Sequence, residues 1–167
     1  MINDEQLEAI RPRLMINTII GAAILMGGLM FGAVIGSTAD WSLIGQPTKM
    51  LNTLGAGTAI VMYGLAFGVP QLFPRVPETS APDPSDPGFQ AGLQQIAGLL
   101  TTETITRFAI LEGGVFLNIT VFMLEPRWIT AIAAGLGLLI MLFILPLPGR
   151  TIDQFQTRAD QWQRGIR

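Results

Sequence analysis

The chain has no cysteine and no histidine. That excludes disulfides, thiol nucleophiles, imidazole acid–base catalysis, His- or Cys-ligated haem and the usual zinc sites. Charge is also scarce. Asp, Glu, Lys and Arg make up 13% of the residues, whereas a soluble domain carries about 25%. Serine hydrolysis lacks its usual base, and every aspartate lies outside the apolar runs described below, so a paired-aspartate intramembrane protease is not expected. The net charge is −2, with no basic patch before the C-terminal tail, so no nucleic-acid partner is expected. No metal site, cofactor or catalytic residue is expected, and the chain reads as a non-enzyme. Half of its 167 residues are hydrophobic, and the mean hydropathy is +0.49.

The apolar residues are gathered into four runs: 14–36, 50–73, 105–124 and 128–147. The first is uncharged over 23 residues and the last over 20. About 20 apolar residues carry a helix across the hydrocarbon core. Backbone groups cannot stay unpaired in lipid, so each run is expected to be a helix. The first run is too long for a signal-peptide core and follows the acidic Asp4, Glu5 and Glu8, so it is expected to be retained. The expected fold is all-α, a four-helix transmembrane bundle over 1–149 with an amphipathic C-terminal tail over 150–167. Its partners would be the lipid bilayer, and a second copy or other membrane subunits.

The basic residues set an orientation. Arg11, Arg13, Arg75, Arg107, Arg150, Arg158, Arg164 and Arg167 fall on one side of such a bundle, and Lys49 and Arg127 on the other. The positive-inside rule then places both termini in the cytoplasm and the protein in the plasma (inner) membrane as a multi-pass chain. The segment 74–88 has five prolines and reads as an extended, solvated linker. After it, Phe89, Leu93, Ile96 and Leu100 have helical spacing. They predict a short amphipathic helix, lying on the membrane or running straight into the third span. In the tail, Ile152, Phe155, Ala159, Trp162 and Ile166 form an apolar lane, expected to rest in the headgroup region or on the inner end of the bundle.

Glycines recur along the runs: Gly28, Gly32 and Gly36 in the first, Gly64 and Gly68 in the second. Small residues let membrane helices approach closely. They therefore predict tight helix packing, within the chain or between copies. In the third run, Glu103, Arg107, Gly114, Asn118 and Glu125 fall within about 40° of one line. Glu103 and Arg107 are correctly ordered for an ion pair along the helix.

Glu112 stands off that stripe, about 140° around the helix from Arg107. A carboxylate at membrane depth costs several kcal/mol when ionised, so it is neutralised, paired or near water. It reads as a packing carboxylate bonded to a neighbouring helix or as an ion-exchanging one. Depth counting favours Tyr63 as its partner, with Asn17 a shallower candidate.

The second run, the polar linker and the third run, with Ala109-Ile110-Leu111-Glu112-Gly113, resemble the helical hairpin of rotary ATPase proteolipid (c-ring) subunits. The resemblance implies that Glu112 is an exchanging carboxylate. Read from the residues alone, the leading expectation is a structural or accessory component of a membrane assembly. Proton or cation translocation through Glu112 is the alternative.

Overall fold

The computed structural model describes residues 4–77, 79, 81–84 and 86–165. Among them the fold is all-α: α1 (Asp4–Thr38), α2 (Met50–Gly68), α3 (Pro87–Leu124), α4 (Trp128–Phe143) and α5 (Pro148–Gln163), with 3-10 turns at Trp41–Leu43 and Val69–Leu72. Helices α1, α2 with its 3-10 extension, and α3 are long and apolar enough to cross a membrane. A fourth candidate span appears if α4 and α5 are taken together, but they meet at a 65° bend. Pro146 and Pro148 explain the break. Neither has an N–H to continue the helix, and each disfavours helical backbone in the residue before it. The expected fourth span at 128–147 is thus helical only to Phe143.

α3 is the central element, contacting α1, α2, α4 and α5. Positions on α1 and α3 ascend together: Gly28 lies against Val115 and Gly32 against Ile119, so these helices run parallel. Those on α2 and α3 run in opposite directions: Asn118 bonds Gly55, while Gly114 meets Tyr63. Along the bundle, Leu25, Ala59, Tyr63, Phe108, Leu111, Val115 and Ala134 form one apolar core. Outward positions stay apolar. Ile19, Met30, Ile60, Val61, Ile132 and Phe143 are each at least 60% exposed, which is the pattern of helices that face acyl chains rather than water.

A second core sits at the end that carries both termini. Ile10 and Leu14 of α1, Phe89, Leu93, Ile96 and Leu100 of α3, and Phe155, Ala159 and Trp162 of α5 are buried together. This core bears on three sequence expectations, choosing between alternatives in two of them. First, α1 and α3 do not begin at 14 and 105. Both extend through this end, and the short amphipathic helix at 89–100 is the first part of α3. At 38 residues α3 is about 57 Å long at 1.5 Å per residue, well beyond a hydrocarbon core of about 30 Å. α1 passes through Pro12 with the loss of one backbone bond near its start. Second, of the two places expected for the apolar lane of α5, the structure shows the one on the end of the bundle, with Phe155, Ala159 and Trp162 packed on α1 and α3. Trp162 stacks on Phe89 at 5.6 Å and its Nε1 donates to the Thr79 carbonyl at 2.7 Å; Ile166 lies outside the described residues. Third, the described part of the segment 74–88 is not a free linker. Val76 is buried, Ala81 packs on the same core, and Asp86 caps α3 by accepting from the Gly88 N–H at 2.7 Å.

The glycines divide by surroundings. A Cβ on Gly28 would lie 3.0 Å from Leu138 Cδ2, so α1 and α4 touch there, and Gly21 meets Pro146 in the same way. Toward the far end α1 and α4 diverge around an apolar cleft of about 280 Å³ lined by Gly32, Gly36, Ile119, Phe122 and Gly135. Gly64 and Gly68, expected to pack tightly, face outward with nothing within 4 Å of a Cβ. Tyr63 and Ala66 carry the inward face of α2 instead.

Candidate functional site

The polar stripe of α3 faces α2 along the whole seam. At the terminal end Arg107 donates to Glu103 Oε1 at 2.9 Å and lies 5.9 Å from the centre of the Phe67 ring. The other oxygen of Glu103 accepts from Arg158 of α5. One carboxylate thus holds two guanidiniums and fastens α5 to the bundle. One turn of α2 further along, Gly114 gives room to the Tyr63 ring, with a Cβ there only 2.7 Å from Tyr63 Cε1. Asn118, fully buried, donates to the Gly55 carbonyl at 3.1 Å and to the Gly114 carbonyl at 3.0 Å. At the distal end Glu125 accepts from Lys49 at 3.2 Å and from Asn52 at 3.0 Å.

The sequence reading used Arg127 of the distal end only to set orientation and did not foresee its burial. Arg127 is only 4% exposed. It donates to the carbonyls of Leu43, Pro47 and Pro126 and to Gln46 Oε1. A buried guanidinium without a carboxylate needs such acceptors around its donors, and here it ties the α1–α2 connection to the start of α4. Thr130 joins it by donating to Asn52 Oδ1. The sequence signal for Arg127 was its position between Pro126 and an apolar run. Arg158 was signalled only by standing off the tail lane. Nearby, Asp40 accepts from the Ser42 N–H and hydroxyl, and these bonds hold its carboxyl below the ordinary range. A lowered carboxylate stabilises the fold at neutral pH, and the contribution is lost as the pH falls through the folded-state value.

Glu112 does not meet its expected partner. The Tyr63 hydroxyl donates to the Ala133 carbonyl of α4 at 2.7 Å, and no hydrogen bond or ion pair joins Tyr63 to Glu112. Depth was matched but azimuth was not. Tyr63 packs against Gly114, two residues and so about 160° around α3 from Glu112. Glu112 instead points to α1, with Oε1 4.0 Å from the place of a Gly27 Cβ. It is half-buried and among the described residues has no hydrogen-bond or ion-pair partner. Asn17, the other candidate, is ten residues before Gly27 on α1, about 15 Å away along the axis. It is 1% exposed, and both atoms of its amide lack a partner. The structure therefore joins Glu103 to Arg107 and Asn118 to the α2 seam, and leaves Glu112 and Asn17 each alone. Among the described residues no three acidic side chains converge as a metal-binding group.

No protein family, curated protein or solved structure matches the chain.

Proposed function

We propose that the protein is a non-enzymatic, multi-pass membrane protein that serves as a structural or accessory component of a membrane assembly. Four spans would place both termini on the cytoplasmic side of the plasma (inner) membrane. The observation that carries this reading is the surface. Outward positions of α1, α2 and α4 are large and apolar, while the arginines gather at the terminal end. The polar side chains of the α2–α3 seam are engaged in joining helices, which suits a rigid body more than a reactive cleft.

The topology is directly testable, because the chain has no native cysteine. Ser42→Cys in the distal connection should be labelled by an impermeant maleimide from outside intact cells. Gln156→Cys on the exposed side of α5 should be labelled only after the membrane is opened. The reverse pattern would overturn the orientation, and release of the protein by alkaline carbonate would overturn the membrane reading.

The unpartnered state of Glu112 supports a second reading, in which this carboxyl exchanges a proton or cation. In the accessory reading its missing hydrogen-bond partner comes from another subunit. The substitutions separate the two. Gln keeps the shape and hydrogen-bonding capacity but cannot take up and release a proton. Glu112→Gln should therefore leave assembly intact in native lipid, and Glu112→Leu should weaken it. Loss of function with Gln, together with loss of carbodiimide labelling at this position, would favour exchange.

A further inference from the structure

At the terminal end, the 3-10 turn after α2 with Arg75, the middle of α3 and the outer side of α5 enclose an open cleft of about 400 Å³. Four guanidiniums line it, from Arg75, Arg107, Arg150 and Arg158, against two carboxylates, Glu103 and Asp153. Glu103 uses both of its oxygens on Arg107 and Arg158. Among the described residues Arg75 has no hydrogen bond or ion pair, and the contact of Arg150 is to the Phe143 carbonyl at 3.1 Å. The Arg107 Nε is buried without a partner. Like charges gathered around one concavity repel one another. The arrangement leaves guanidinium donors unspent and a positive excess beside an opening to solvent.

We propose that this cleft binds the phosphoryl group of an anionic phosphate ester, supplied by a phospholipid headgroup at the inner leaflet. Guanidinium forks match phosphate oxygens in pairs, and arginine is the side chain suited to this recognition. The cleft volume falls in the range of small-ligand sites. Its level fits a headgroup: α2 ends at Gly68 beside it, and from Phe108 to Leu124 the only charged side chain of α3 is Glu112. Basic pockets between spans on the cytoplasmic side are suited to anionic lipid heads. Glu103 acts as the organiser. It fixes two arginines at the back of the cleft, while the exposed Arg75 and Arg150 stand at the mouth to close over the ester.

The lipid source, though not the phosphate chemistry, rests on the membrane reading proposed above. The protein purified in neutral detergent is titrated with phosphatidylglycerol and, separately, phosphatidylcholine, and bound lipid is counted by native mass spectrometry. Glycerol 3-phosphate is tested in parallel by thermal shift. Phosphatidylglycerol should be retained in preference to phosphatidylcholine. Arg75→Gln/Arg150→Gln should lower that retention about tenfold or more, given the usual contribution of each arginine near an anionic surface. Arg164→Gln, an exposed change just past the end of α5, should leave it unaltered. Stabilisation by glycerol 3-phosphate alone, lost in the double variant, would assign the same chemistry to a soluble ester. Equal retention of the two lipids with no glycerol 3-phosphate shift, or wild-type behaviour of the double variant, would overturn the proposal. Carbonate extraction tests the membrane reading separately, because the glycerol 3-phosphate shift does not require that reading.

Discussion

Gly137→Ala should destabilise the protein by about 3 kcal/mol, although it adds one methyl group to a helix. The new Cβ would overlap the Tyr63 hydroxyl and lie 2.5 Å from Val115 Cγ2 and 2.7 Å from Tyr63 Cζ. None of these atoms is the free end of a flexible chain. Val115 is fully buried, and the Tyr63 ring is held between Gly114 and α4 with its hydroxyl bonded to Ala133. Overpacking of this kind costs about 1–3 kcal/mol, and a displaced Tyr63 forfeits a hydrogen bond worth about 1 kcal/mol more. For a chain of this size the loss lowers the melting temperature by roughly 10 °C. Gly135, two residues earlier on the same helix, provides the control. Nothing lies within 4 Å of its Cβ, and alanine is the better helix former by about 1 kcal/mol, so Gly135→Ala should be neutral or stabilising. Thermal unfolding in micelles reads both. Equal melting temperatures for the two variants would mean that α4 does not press on Tyr63 in this way. Adding Tyr63→Phe to Gly137→Ala should recover part of the loss, since it removes the most crowded atom.

How far the sequence foretells this arrangement depends on which property of a residue is asked for. Hydrophobic runs report where a helix meets lipid, so the all-α class and the middles of α1 to α4 were legible. They do not report where a helix ends when its last turns leave lipid for a protein core. The start of α1 carries charges, and that of α3 carries glutamines and threonines, among their apolar residues, and only the burial of Ile10, Leu14, Phe89 and Leu93 against α5 shows why the helices continue. The polar stripe of α3 was legible because helical geometry alone brings Glu103, Arg107 and Asn118 to one side. Its partners were not, since Arg158 and Asn52 come from distant segments. The assignment of Tyr63 to Glu112 failed on a fact the helical wheel already held. The stripe faces α2, Glu112 stands about 140° from it, and a residue on α2 therefore cannot reach that carboxyl. The arginine cleft needs the 65° turn at the end of α4, which brings Arg150 and Arg158 back beside Glu103. The expected span ran through Pro146 to 147, so neither the break nor its direction was read from the sequence.

Gly92→Ala should strike the other core, and its effect depends on what else holds α5. A Cβ on Gly92 would overlap the Trp162 ring, coming within 2.5 Å of Cζ2 and 2.8 Å of Cζ3. Trp162 cannot swing aside cheaply: it is 3% exposed, stacked on Phe89 and bonded to the Thr79 carbonyl. Two responses compete. α5 could slide while staying docked, at an overpacking cost of about 1–3 kcal/mol. Alternatively it could leave, exposing Phe155, Ala159 and Trp162. Each large apolar side chain among these is worth about 1.5–3 kcal/mol in burial, so complete undocking is the more expensive response. The Arg158–Glu103 pair also opposes it. Arg158 and Glu103 side chains are 15% and 19% exposed, so separation would give up a partly buried ion pair and leave Glu103 with Arg107 alone. The sliding response therefore wins. Gly92→Ala should lower stability by about 2–3 kcal/mol and loosen Trp162, with a modest red shift and greater quenching by acrylamide. Trp41→Phe and Trp128→Phe in the background would isolate this signal. Combining Gly92→Ala with Glu103→Ala removes the ion pair as well, so Trp162 should loosen further, with a larger red shift than Gly92→Ala gives alone. A combined variant no more red-shifted than Gly92→Ala would show that α5 is held to the bundle by contacts other than this pair.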